Sequence, residues 1–404
     1  MPRIQIVYIY VMILLQIVIS DVSAYSFEDI QIHGFVSQGF MISDRNNYLA
    51  NTEEGTFEFN EAGINFSKNF TENFHMGCQF FARDIGDVGN DEIELDFALA
   101  DFRLKDSLGF RIGKIKIPHG LYNDIRDVDM LRTFIFLPPV YYDISRSTIN
   151  AMNGIGLYGN YQFSTMGNIE YQIIGGSKSI DPESGWSRYM ERRGIDITQF
   201  DIGYIGCGSM IWNPPVNGLR LGMTGIRLDM AADAEIEFFP LPPAYAVSGG
   251  PDLKYELNDL MIKVNFIEYT LNDLILAFEY MTFRGDLSLA TLSPNPPLVF
   301  KIPVRTDTYY LSMTYRLSDI LEVGGYYAVF WPDSDDKHGK TLAYDYLGWH
   351  KETAFCLRFD INDALAFKTE MHLIDGGSLM MPQDNPEGVD QRCALFLLKL
   401  TFSF

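Results

Sequence analysis

From residue 27 onward, hydrophobic and polar positions alternate with a period of two. Ile93, Leu95, Phe97 and Leu99 alternate with Glu94, Asp96, Ala98 and Ala100; Tyr309, Leu311, Met313 and Tyr315 alternate with Tyr310, Ser312, Thr314 and Arg316. Leu365, Phe367, Thr369, Met371 and Leu373 alternate in the same way with Lys368, Glu370 and His372. A side-chain period of two predicts β-strands with one apolar and one polar face. Strands of a soluble sandwich are usually about five or six residues long. The alternating runs here extend over about ten to twelve, the length of a tilted strand crossing a bilayer, where only a closed barrel leaves no backbone group unpaired.

The connections divide into two kinds. Tight ones rich in Asn, Asp, Gly, Pro and Ser fall at 69–73, 105–108, 164–167, 213–218, 270–273, 318–320 and 362–364. Longer polar stretches lie at 43–55, 84–91, 118–150, 177–198, 230–254, 286–301, 332–349 and 376–390. Seven short turns and eight long loops connect sixteen strands, an even number with both ends on the short-turn side. The expected fold class is therefore all-β, a transmembrane antiparallel β-barrel of about sixteen strands.

Composition and charge narrow the function classes. With 14% aromatic residues, 34 Gly and 30 Phe, the chain is neither disordered nor a coiled coil. A formal charge of −22 would repel a phosphate backbone, which argues against nucleic-acid binding. After residue 20 there is no uninterrupted apolar run of the roughly 18 residues a spanning helix needs. Residues 1–24 read as a secretory signal peptide: Arg3, an apolar stretch from Ile4 to Ile19, and the small-residue end Val22-Ser23-Ala24. That leaves residues 25–404 as one barrel domain; removal of Arg3 and Asp21 gives 30 minus 52, still −22. Cys78, Cys207, Cys356 and Cys393 form no C-x-x-C pair and read as separate small side chains.

The last strand places Ala394, Phe396, Leu398, Leu400, Phe402 and Phe404 on one parity and ends on an aromatic residue. Together with the apparent signal peptide, the strand count and the strand GFRIGKIKIPHGLY at 109–122, this ending resembles the porins of Gram-negative outer membranes, in the superfamily of sixteen-stranded trimeric general and phosphate-selective porins. The resemblance implies a water-filled channel for passive diffusion of ions and small hydrophilic solutes. It implies a homotrimer in outer-membrane lipid, and a C-terminal signal, Leu400, Phe402 and Phe404, read by the barrel assembly machinery. It also implies a long third external loop folded into the lumen.

In this chain that loop is 118–150, the longest gap between strands. Its Met130, Leu131, Phe134, Ile135, Phe136, Leu137, Val140, Tyr141 and Tyr142 need burial, which a lumen or a neighbouring subunit can give. Folded inward, its His119 and the charges Asp124, Asp127, Asp129, Asp143, Arg126, Arg132 and Arg146 would line a pore constriction. Lys114 and Lys116 would face them, on the parity opposite to lipid-facing Ile115 and Ile117, with Arg83 on the third strand. Elsewhere the inward parity mixes bases (Arg220, Lys263, Arg316, Arg358, Lys368, Lys399) with acids (Glu94, Asp96, Glu170, Glu279, Glu322, Glu370), which argues against a phosphate-selective basic ladder.

Two other classes remain open. An outer-membrane barrel enzyme, a hydrolase, would draw on His119, His350 or His372, yet none sits in a nucleophile motif. A plugged structural or adhesive barrel would share the strands and lack conductance. No cofactor and no metal site is expected; Asp333, Asp335 and Asp336 lack a complete calcium-loop pattern and read as a hydrated acidic loop.

Overall fold

A computed structural model describes residues 29–404 except 87–88, 90, 142–145, 192–194, 237–252, 292–298 and 382. The proposed signal peptide lies outside the described residues. Sixteen strands follow one another: β1 (Gln31–Ser43), β2 (Phe59–Thr71), β3 (Phe74–Ile85), β4 (Glu94–Lys105), β5 (Leu108–Lys116), β6 (Ala151–Phe163), β7 (Gly167–Ile180), β8 (Ile195–Asn213), β9 (Leu219–Ile236), β10 (Leu253–Leu271), β11 (Leu274–Thr291), β12 (Val299–Arg316), β13 (Leu321–Trp331), β14 (His350–Asn362), β15 (Leu365–Asp375) and β16 (Arg392–Ser403). Each strand pairs antiparallel with its neighbours in sequence, and β1 pairs with β16 in register Phe35↔Ser403 to close the barrel.

All seven tight turns form where the sequence places them. At the β9 entry Gly218 adopts φ 80°, and a Cβ there would sit 1.8 Å from the Thr270 carbonyl oxygen, so only glycine fits this turn. The alternation also holds on most strands. Leu311 and Met313 are exposed on the outside while Tyr310, Ser312 and Thr314 are buried inside; on β16 Phe396, Leu400 and Phe402 face out while Leu395, Leu397, Lys399 and Thr401 face in. An outward apolar surface of this extent is stable only against lipid or other apolar matter.

Three expectations change. Strands β8 to β12 are 18 or 19 residues long, because pairing continues into the stretches expected as loops at 177–198, 230–254 and 286–301: β8 begins at Ile195, β9 runs to Ile236, β11 runs to Thr291 and β12 begins at Val299. On β4 the register slips between Gln79 and Phe80 of its partner, so Leu95 stays outside with Phe80 while Phe97 pairs with the inward Gln79. Beyond this bulge Ala98 and Ala100 line the outer surface, and Phe97 and Leu99 leave the face they share with Leu95 in the simple alternation. Finally, Ile115 and Ile117 are buried and not lipid-facing: they join an apolar cluster with Met152, Ile174 and Ile205, and the exposed residue of β5 is Ile112.

That cluster also contains Ile226, Leu228, Leu260, Ile262 and Val264, so the inner wall of β7 to β10 is itself apolar and shielded from water. Both faces of these strands are greasy, so parity in the sequence does not separate them: Lys263, expected to face inward, is exposed and shares the parity of the outward Ile267. Leu131, expected to need burial, is exposed, whereas Phe134, Ile135, Phe136, Val140 and Tyr141 are buried.

Candidate pore constriction

The β5–β6 connection starts from a pinned neck. Ile117 N–H donates to the Asn150 carbonyl at 3.0 Å, and the Asn123 amide donates to the carbonyls of Ile117 (2.6 Å) and Asn150 (3.1 Å). From there the segment bonds to strands far from its own. The Glu279 carboxylate of β11 accepts the Leu121 N–H at 2.8 Å and the hydroxyls of Tyr141 and Tyr310, each at 2.6 Å. Glu370 of β15 accepts two successive amides, Ile135 at 2.7 Å and Phe136 at 2.9 Å. Arg358 of β14 donates to the Arg132 carbonyl at 3.0 Å, and Thr133 bonds Glu322 of β13. Phe134 packs edge-on against Tyr326 of β13, and Phe136 lies 5.5 Å from Phe59 of β2. The segment is thus held by inward-parity side chains of β2, β11 and β13 to β16.

Two buried charge clusters fix it. Around Asp129, Lys368 Nζ lies at 3.0 Å, Lys399 Nζ at 3.1 Å and Arg132 at 3.6 Å, and Thr401 donates at 2.7 Å. Burial alone would raise the Asp129 carboxyl, but these three cations outweigh it and hold it well below the usual carboxylate range. Glu61 of β2 balances the excess cation by pairing with Lys399. In the second cluster Arg146 reaches Asp127 at 2.6 Å, Glu94 at 2.8 Å and Asp96 at 3.0 Å, with its guanidinium over the Phe81 ring at 4.4 Å. Lys116 reaches Asp96 at 2.8 Å and Asp127 at 2.5 Å. Pairing of β4 with β5 stops at Lys114↔Ala98, two residues before β5 ends, so Lys116 has no β4 partner beside it. Asp127, for which burial is again outweighed by Arg146 and Lys116, is likewise held well below its usual range.

The structure brings Lys116, Asp127, Asp129, Arg132 and Arg146 into these clusters. Arg126 donates to the Tyr141 carbonyl at 2.9 Å, and Arg83 is buried on the inward face of β3. His119 is buried with Nε2 at 3.3 Å from the Met281 sulfur; burial, with Arg126 adding to it, pushes its pKa down to about 3 and keeps it neutral. Lys114 is half-buried beside the second cluster, on the parity of exposed Ile112, with its ammonium on the carbonyl of Leu95, between Glu94 and Asp96. Asp143 lies outside the described residues. The sequence gives no role to Glu61 or Glu352 and treats Lys368, Lys399, Glu279 and Glu370 as general inward charges; the structure makes them anchors. His350 and His372, candidates for catalysis, bond instead to Glu352, and His372 also to Glu370 at 2.8 Å.

Asp124 faces open space. It lines a cavity of about 630 Å³ on the short-turn side of the segment, whose wall carries Arg103, Arg111 and Arg220 against Asp106 and Glu170. With Asp124 the cations and carboxylates balance, three to three. Much of this charge is already paired, Arg111 with Asp101 at 2.6 Å and Arg220 with Glu268 at 2.9 Å.

No protein-family model and no curated protein matches the chain. Solved structures do. OmpF of Salmonella typhi, in complex with daunomycin, aligns over 94% of this chain and 99% of its own at 11% identity and a TM-score of 0.56. The anion-selective porin of Comamonas acidovorans aligns over 93% and 99% at 11% identity (TM-score 0.53), and the outer-membrane channel DcaP of Acinetobacter baumannii over 93% and 97% at 9% identity (TM-score 0.51). At such identities the likeness is one of fold: this chain is a closed, sixteen-stranded barrel of the porin type.

Proposed function

We propose that the protein is an outer-membrane channel of porin type through which ions and small hydrophilic solutes diffuse passively, with the β5–β6 segment lying across the lumen and setting its narrowest section. The observation that carries this reading is the set of bonds from that one segment to inward side chains of β2, β11 and β13 to β16. A connection that bridges so many walls narrows whatever passes between them. The outward apolar band supports a place in the membrane, and a neighbour of the same fold, OmpT of Vibrio cholerae, solved in a trimer form, supports a homotrimer; insertion by the barrel assembly machinery is part of the same proposal. No chemical step is needed: the three candidate catalytic histidines are held in structural bonds to Met281, Glu352 and Glu370.

The test is single-channel recording in a planar bilayer. A channel gives discrete steps, small ones here because the anchoring charges are shielded from water, and shortening the stretch from Phe134 to Tyr141 raises their size. Replacing Asp124 by Lys in the open cavity shifts the reversal potential in a salt gradient toward anions. That same burial of Asp129, Lys368, Lys399 and Glu370 favours a second reading, a plugged barrel. Silence of both the wild-type and the shortened protein would establish it.

A further inference from the structure

The cavity of about 630 Å³ on the short-turn side of the segment carries charge that the fold does not use up. Two of its three arginines are committed. Arg111 pairs with Asp101 at 2.6 Å and lies 4.3 Å from the centre of the Tyr158 ring, whose hydroxyl also bonds Asp101; Arg220 pairs with Glu268 at 2.9 Å. Arg103, exposed on the same face of β4 as Asp101, forms no ion pair with a described residue and stands beside the Tyr158 hydroxyl. Two carboxylates are equally uncommitted among the described residues: Asp106 in the turn between β4 and β5 and Asp124 on the segment, both exposed. Glu170 has only the neutral Asn213 amide, at 2.8 Å.

Counted with the partners of Arg111 and Arg220, the wall holds three cations (Arg103, Arg111, Arg220) against five carboxylates (Asp101, Asp106, Asp124, Glu170, Glu268). An excess of that sign draws cations into the cavity. The one free guanidinium fork is of no use to a simple cation, because its geometry matches a carboxylate. A solute that satisfies the whole set carries one carboxylate and more than one positive group. The arrangement along the wall orders these groups. Arg103 and Asp106 lie together at the short-turn end, whereas Asp124 lies deeper, in the fields of Lys116 and Arg111. Arg111 is opposite Asp101, which is two residues from Arg103 along β4, or about 7 Å by the rise of a strand.

We propose that this cavity binds basic amino acids and short basic peptides, with the α-carboxylate on Arg103, the α-ammonium toward Asp106 and the side-chain cation at Asp124. An extended lysine spans about that distance from carboxylate to side-chain ammonium, and the neutral Gln172 amide and Ser209 hydroxyl line the wall without adding charge. The proposal names the solute class of the channel and rests on the channel reading for the solute's route, while the uncommitted charges belong to the fold itself.

The test is titration calorimetry on the full-length folded protein in detergent with three probes: L-lysine, norleucine, which lacks the side-chain ammonium, and cadaverine, which lacks the carboxylate. A charge-assisted hydrogen bond is worth roughly tenfold or more in affinity, so wild type binds lysine that much more tightly than either analogue. Arg103→Gln brings lysine down to the level of cadaverine, and Asp124→Asn brings it down to the level of norleucine. Should either variant fail to fold, the ranking of the three probes on wild type decides alone. Equal binding of the three by wild type, cadaverine ahead of lysine, or an unchanged ranking in both variants overturns the proposal. Single-channel recording on the same preparation separates the two readings: conductance without lysine preference removes the site and leaves the channel, whereas lysine preference in a silent barrel removes the channel and leaves the binding site.

Discussion

Asp129 is the carboxylate that joins Lys368 and Lys399, at 3.0 and 3.1 Å, and Glu61 supplies a second partner to Lys399 alone. Replacing it with Asn leaves two ammonium groups buried with less compensation, and breaking a buried pair in this way costs about 3–5 kcal/mol. A lower denaturant midpoint for Asp129→Asn in vesicles checks this. Acid should act through the same group. Its carboxyl binds a proton more weakly in the folded than in the unfolded chain, so its contribution is complete above about pH 4, the unfolded value, and falls away as pH drops toward the folded one. Stability measured from pH 7 down to pH 3 should therefore fall at the acid end, and fall less in Asp129→Asn. None of this was legible in sequence. The sequence shows that Asp129 sits in a long loop with apolar company; it does not show that its partner Thr401 waits 272 residues away.

At the level of strands, what alternates is readable and what does not is not. β12 and β15 carry unlike residues on their two faces, so parity separates inside from outside, while β16 does so only through Lys399 and Thr401, since Leu395 and Leu397 also face in. β10 offers Ile262 and Val264 inward and Ile267 outward, and the period of two survives with no sign to say which side is which. The β4 bulge is hidden for the same reason: Phe97, Ala98, Leu99 and Ala100 fit either face. The correct faces make a testable difference. Arg at outward Leu311 should cost roughly 2–4 kcal/mol, because a charge there meets hydrocarbon. Arg at Gln172, which lines the open cavity, should cost far less. Comparing denaturant midpoints of the two folded variants in lipid vesicles checks the assignment.

For the molecule as a whole, the seam between first and last strands is the joint on which closure depends. Phe404 exchanges both backbone hydrogen bonds with Gly34, at 2.9 and 3.0 Å, and its ring lies so close to Gly34 that a Cβ there would be 2.5 Å away. Deleting Phe404 should lower the yield of heat-resistant folded protein in membrane fractions, and Gly34→Val should do the same through the clash. The count of strands and turns was readable because both are written locally. The seam was not, since nothing near residue 35 points to residue 403. Bringing those two ends together across 368 residues (403 minus 35) removes roughly 5 kcal/mol of chain entropy if done in one step. Fifteen neighbouring pairings, each closing a much shorter loop, can form first and leave only the final gap. In that interval β1 and β16 are both bare edges, and β16 presents Phe396, Leu398, Leu400 and Phe402 to any strand it meets. Copies of the chain must therefore be kept from one another during transit, from the time the first strand is made until the last one reaches it.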